Sequence, residues 1–107
     1  RQGIRPQGMK VHWTDRAKHR LRLIHDYIAQ DAPLVAPQVI ERLISRSRQI
    51  GETPYAGRQV PEHQRADLRE VLERPYRIIY RIRAERIDVI TVMHYRQLLP
   101  SDLAKHG

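Results

Sequence analysis

The chain has 107 residues, a net charge of +8 with neutral histidines, 40% apolar and 30% charged residues, and no cysteine. That length suits one domain, and the composition supports a small folded core rather than disorder. The missing cysteines exclude a disulfide scaffold, Cys-ligated zinc and thiol chemistry, and the short apolar runs exclude a membrane-spanning helix or a secretory signal, so a cytoplasmic protein is expected.

Residues Arg1 to Gly8 carry two glycines, a proline and no periodicity. They read as a vector-derived or disordered leader, with Met9 opening a single domain over 9–107. Lys10-Val11-His12-Trp13 alternates and predicts a short edge strand. Thr14 is a good N-cap with Asp15 behind it, predicting a helix over Asp15–Gln30. Its buried stripe is Ala17, Leu21, Ile24 and Ile28, widened by Leu23 and Tyr27, and its outer face is strongly basic.

Pro33 is placed to open a second helix that runs to Ile50 and caps on Gly51. Pro37 lacks the N–H a fifth helical residue would donate, so either the regular helix begins nearer Pro37 or its first turn is distorted. Glu52–Asp67 reads as a loop, marked by Pro54, Gly57 and Pro61. Three strands follow: Leu68–Leu72, Tyr76–Arg83 and Ile87–Met93. In the second, Tyr76, Ile78, Tyr80 and Ile82 share one face, and Arg77, Ile79, Arg81 and Arg83 the other. The third is apolar on both faces, which predicts a central, well-covered strand. Ser101–Lys105 is expected to form one helical turn. The fold class is α+β: an N-terminal strand beside the last strand, a helical hairpin, then a three-stranded antiparallel meander.

Seventeen of the 20 basic residues are arginine. Arginine presents a planar fork that suits carboxylates and phosphates. Arg77, Arg81 and Arg83 are therefore expected to form an exposed anionic docking face, and replacement of Arg77 and Arg81 by alanine to leave the fold intact. Trp13, Tyr76 and Tyr80 are expected in the core. His19 and His25 lie on different helical faces, so no metal site is expected; no Gly-rich phosphate loop is present, and no cofactor is expected.

Several segments, in this order and spacing, carry a resemblance. They are Leu21-Arg22-Leu23-Ile24-His25-Asp26-Tyr27-Ile28-Ala29, Thr53-Pro54-Tyr55-Ala56-Gly57-Arg58, Leu68-Arg69-Glu70-Val71, Arg74-Pro75-Tyr76-Arg77-Ile78-Ile79-Tyr80-Arg81-Ile82, and Ile87-Asp88-Val89-Ile90-Thr91-Val92-Met93-His94. Together they resemble the ParE branch of the ParE/RelE toxin superfamily, over about Met9 to Arg96. The resemblance implies the same α+β fold and a toxin that inhibits DNA gyrase, blocks replication and is neutralised by a ParD-like antitoxin. The RelE branch shares the fold but cleaves messenger RNA on the ribosome.

The two branches differ in the site they need. In a YoeB-like nuclease, Glu52, Arg77, His94 and Tyr95 would supply acid, base and cation. Against that, 12 residues follow Tyr95, and no lysine lies between Lys18 and Lys105. The expected target- or antitoxin-binding residues are Arg77, Arg81, Arg83, His94, Tyr95 and Arg96. An antitoxin helix is expected in an apolar groove lined by Leu23, Tyr27, Val35, Val39 and Ile50.

Overall fold

The computed structural model describes residues 8–99; the leader up to Gln7 and the helical turn expected at Ser101–Lys105 lie outside the described residues. The elements are β1 (Lys10–Trp13), α1 (Asp15–Ala29), α2 (Ala36–Glu52), a 3-10 turn (Pro54–Ala56), β2 (Arg58–Gln59), β3 (Leu68–Glu73), β4 (Tyr76–Ile82) and β5 (Arg86–His94). They form one five-stranded sheet in the order β1-β5-β4-β3-β2. β1 runs parallel to β5, and every other pair is antiparallel. The expected class holds, with β1 beside the last strand and β5 between two neighbours.

Thr14 caps α1 and fixes it to the sheet. Its hydroxyl oxygen accepts from the Ala17 N–H at 3.1 Å and donates to the Val89 carbonyl at 2.8 Å. The two helices bury one sheet face. Ala17, Ile24, Val39, Leu43 and Ile50 pack against Val71, Ile78, Tyr80, Ile87, Val89 and Val92. Trp13 packs on the edge of this core and donates its indole N–H to the Ser47 hydroxyl at 3.1 Å.

α2 begins at Ala36, with a proline in its first turn, rather than at Pro33. It also continues through Gly51, which the sequence marks as a stop. The Met9 N–H donates to the Gly51 carbonyl at 2.7 Å, and a Cβ on Gly51 would collide with the Met9 carbonyl. The glycine serves a close approach between helix and strand, not a cap.

Inside the expected loop, the 3-10 turn and the two-residue β2 form. Pro54 offers its carbonyl to the buried Tyr80 hydroxyl at 2.5 Å. A Cβ on Gly57 would strike that hydroxyl.

β5 carries a bulge. Ile79 pairs with Thr91 and Tyr80 with Val89, so Ile90 is the extra residue. Ile90 and Thr91 therefore lie on the same face, away from the helices. This is why simple alternation assigns no face to this strand. The face away from the helices is not open to solvent either. Val60, Leu68, Ile79, Ile90, Met93 and Leu99 form a second core there.

Candidate functional site

Arg77 is the first sequence-predicted site residue the structure relocates. Its position on β4 puts it on the face away from the helices, as alternation requires, but it is only 5% exposed. Its guanidinium grips Glu62 with two prongs, Nη1 to Oε2 at 3.0 Å and Nη2 to Oε1 at 2.9 Å. Nη2 also meets the fully buried Glu70 at 2.7 Å, and Nη1 donates to the Gln97 carbonyl at 2.9 Å. Arg58 reaches the other Glu70 oxygen. Burial lowers the Arg77 pKa, but Glu62 and Glu70 outweigh it, and the net direction is upward. Arg77 in turn holds the Glu62 carboxyl down at about 2, against the opposing effect of burial.

The rest of the arginine face is paired as well. Arg81 lies 3.0 Å and Arg65 2.8 Å from Asp67, whose pKa is lowered by Arg65 first and Arg81 second. Arg83 and Arg86 both hold Asp88, at 2.5 and 2.9 Å. The open anionic docking face expected from Arg77, Arg81 and Arg83 is therefore a lattice of ion pairs over a second core. Sequence reasoning missed Glu62 and Glu70. Glu70 could have been found, because it sits on β3 at a position whose register partner, Ile79, faces the second core.

Glu52, Arg77, His94 and Tyr95 are not brought together. Glu52 ends α2 beside the start of β1, which pairs with the Arg86 end of β5. His94 is at the opposite end of that strand, roughly 26 Å away along its length. Arg77 faces away from the helices, whereas the register of β4 with β5 puts His94 beside Tyr76, on the helix side.

At that end of the sheet lies a cluster of half-buried aromatic rings, Tyr76, His94 and Tyr95, with the exposed Arg74 and Arg96. The Tyr76 and His94 rings meet edge to face at 6.4 Å, and His94 stacks on Tyr95 at 5.0 Å. Arg74 and Arg96 lie over the Tyr95 ring, 5.6 and 5.4 Å from its centre. The Arg96 N–H donates to His94 Nδ1 at 3.2 Å, so in the neutral ring Nε2 carries the proton. The Tyr95 N–H donates to the Pro75 carbonyl at 2.8 Å, which pins the segment to the β3–β4 turn. An open cleft of about 330 Å³ separates this cluster from α1, lined by Arg20, Leu23, Tyr27, Tyr76, His94 and Gln97.

Of the expected groove residues, Leu23, Tyr27 and Val35 are exposed, joined by Leu34 at 85% exposure. Val39 and Ile50 belong to the core and line no groove, because both point from α2 into the sheet. Among the described residues no group of three or more His, Asp or Glu side chains could hold a metal ion.

A sequence model of the family described as ParE toxin of type II toxin–antitoxin system, parDE, matches residues 11–99. Two relatives are similar over most of the chain. Y4kP of Sinorhizobium fredii, a protein with toxin in its name, is 36% identical over 95 residues, covering 88% of this chain and 96% of its own. Toxin RelE2 of Caulobacter vibrioides is 34% identical over 90 residues, covering 83% and 98%. Among solved structures, a chain of the chromosomal ParDE toxin–antitoxin system of Pseudomonas aeruginosa superposes with a TM-score of 0.71 at 20% identity, over 83% of this chain and 98% of that one.

Proposed function

This chain belongs to the ParE toxin family of type II toxin–antitoxin systems, and from that premise we propose that it acts by binding and poisoning DNA gyrase, not by cutting RNA. The observation that carries this reading is the fate of Arg77. A metal-independent nuclease needs a free cation at the scissile phosphate, with an acid and a base in reach. Both terminal nitrogens of Arg77 are taken by Glu62, Glu70 and the Gln97 carbonyl, and Glu52 lies at the far end of the sheet from His94 and Tyr95. What this site supports is recognition through a half-buried aromatic and exposed basic surface, in the cytoplasm where gyrase acts.

The reading includes a ParD-like antitoxin as the neutralising partner. The tip of the helical hairpin leaves Leu23, Tyr27, Leu34 and Val35 in water. An amphipathic helix laid across them would bury that surface. The chain's +8 charge favours an acidic partner.

The test has two arms on antitoxin-free protein. One follows plasmid supercoiling and cleaved complexes with gyrase. The other maps messenger RNA 5′ ends in a translating extract. Gyrase poisoning with intact RNA is expected; RNA cut next to ribosomes, with gyrase untouched, would overturn the proposal.

A further inference from the structure

Most of the described arginines lie against a carboxylate, as Arg42 and Arg46 do against Glu73 at 3.5 and 4.0 Å. Six described arginines, Arg16, Arg20, Arg22, Arg69, Arg74 and Arg96, form no ion pair with a carboxylate among the described residues, and three of them, Arg20, Arg74 and Arg96, gather toward the His94 end of the sheet. Arg20 donates to the Val92 carbonyl at 3.4 Å, while Arg74 and Arg96 lie on the Tyr95 ring. A carboxylate would cancel the charge of a guanidinium; an aromatic face orients it and leaves the charge in place. Arg20 lines the cleft between α1 and the Tyr76–His94 end of the sheet, and Arg74 and Arg96 stand behind its His94 wall, over the Tyr95 ring that stacks on His94.

The cleft sets three aromatic rings, Tyr27, Tyr76 and His94, among the aliphatic side chains of Leu23, Ile24 and Met93. Tyr27 stands 75% exposed on one wall, with Tyr76 and His94 opposite. Its volume of about 330 Å³ lies at the small end of the roughly 300–1,000 Å³ range of ligand sites. That is room for one flat group, not for a groove-reading helix or a duplex. Aromatic rings beside uncancelled arginines match a polymer that offers a π-face and a phosphate at every unit.

We propose that this cleft takes an unstacked base of single-stranded DNA between Tyr27 and the Tyr76–His94 wall, with the neighbouring phosphates on Arg20, Arg74 and Arg96. The choice of DNA over RNA rests on the gyrase reading above. Arg16, one turn before Arg20 on α1, continues the basic track away from the cleft.

The test is fluorescence anisotropy of a labelled oligothymidine of about 12 nucleotides, compared with the matching oligouridine and with a duplex of the same length, using the full antitoxin-free chain. Binding of oligothymidine in preference to both is expected. Tyr27→Ala should weaken it roughly ten-fold or more through lost stacking, with its salt dependence unchanged. The Arg74→Ala/Arg96→Ala variant should lower the slope of log K against log salt by about 1.4, two contacts at about 0.7 each. All three side chains are on exposed residues, and thermal melts confirm that the variants fold. No binding by the parent chain, preference for oligouridine or duplex, or binding that Tyr27→Ala leaves unchanged would overturn the proposal. No gyrase is present in this assay. A chain that poisons gyrase but ignores the oligonucleotide contradicts the cleft assignment alone; one that binds it but spares gyrase contradicts the proposed function alone.

Discussion

Arg77 on β4 and Glu62, 15 residues earlier in the loop before β3, lock through two parallel hydrogen bonds of 3.0 and 2.9 Å. Glu62 then accepts from the Leu99 N–H at 2.9 Å, and Arg77 donates to the Gln97 carbonyl. One ion pair thus fastens both the 60–67 loop and the 97–99 segment over the second core. An arginine that strand alternation alone puts on an exposed docking face is instead a structural clasp.

Arg77→Ala is therefore expected to destabilise the fold, contrary to what the sequence suggests. Removing one partner of a buried pair leaves an uncompensated charge, at a cost of about 3–5 kcal/mol. Here Glu62 would lose its arginine, and the fully buried Glu70 would keep only Arg58. Arg77→Lys keeps the charge but not the fork and should fall between. Urea unfolding reads both; an Arg77→Ala midpoint equal to the parent's would refute the clasp.

Acid should undo the same pair. The Glu62 carboxyl sits at about 2 in the folded chain, against 4.5 as its ordinary value. Because the folded value is the lower one, the stabilisation is complete above about pH 4.5 and is lost as pH falls from there toward 2. The linkage amounts to at most about 3 kcal/mol. Glu62→Gln should flatten this part of a stability-against-pH curve. A curve of unchanged steepness would place the acid sensitivity elsewhere.

Gly51→Ala should destabilise α2, although alanine is the better helix former by about 1 kcal/mol. The added methyl would meet the Met9 carbonyl, whose own amide bonds Gly51 at 2.7 Å. A rise in melting temperature would show that β1 yields easily.

Tyr80→Ala should cost about 3–5 kcal/mol through the cavity left in the main core. Tyr80→Phe isolates the hydroxyl, whose bond to the Pro54 carbonyl ties the 3-10 turn to the sheet. Its loss should cost about 1–3 kcal/mol, because the half-buried Pro54 carbonyl is left without its donor. Equal stabilities for the parent and Tyr80→Phe would remove Tyr80 as the anchor of that turn.

The features legible in the sequence are those written locally. Thr14 with Asp15 marks the start of α1, Pro37 marks the first turn of α2, and period-two alternation separates Ile78 and Tyr80 from Arg77 and Ile79. What escaped local reading depends on distant partners. β2 exists because Arg58 and Gln59 pair with β3. The bulge at Ile90 exists only in register with β4. Gly51 answers to Met9, and Arg77 answers to Glu62 and Glu70. Of the site, His94, Tyr95 and Arg96 were legible as a run after the last strand. Arg20, Arg74 and Tyr76 are not legible as their neighbours, because separate segments bring Arg20 and Tyr76 to the cleft and Arg74 to the Tyr95 ring beside it.

The central claim is inhibition by binding, and a titration tests it most directly. A fixed amount of gyrase with plasmid DNA is given increasing antitoxin-free chain, and cleaved complexes are counted. A binding poison gives cleaved complexes that rise with occupancy and level off no earlier than one chain per gyrase, with messenger RNA intact throughout. Cleaved complexes absent at every ratio, with RNA cut by chain far below the ribosome concentration, would contradict the claim.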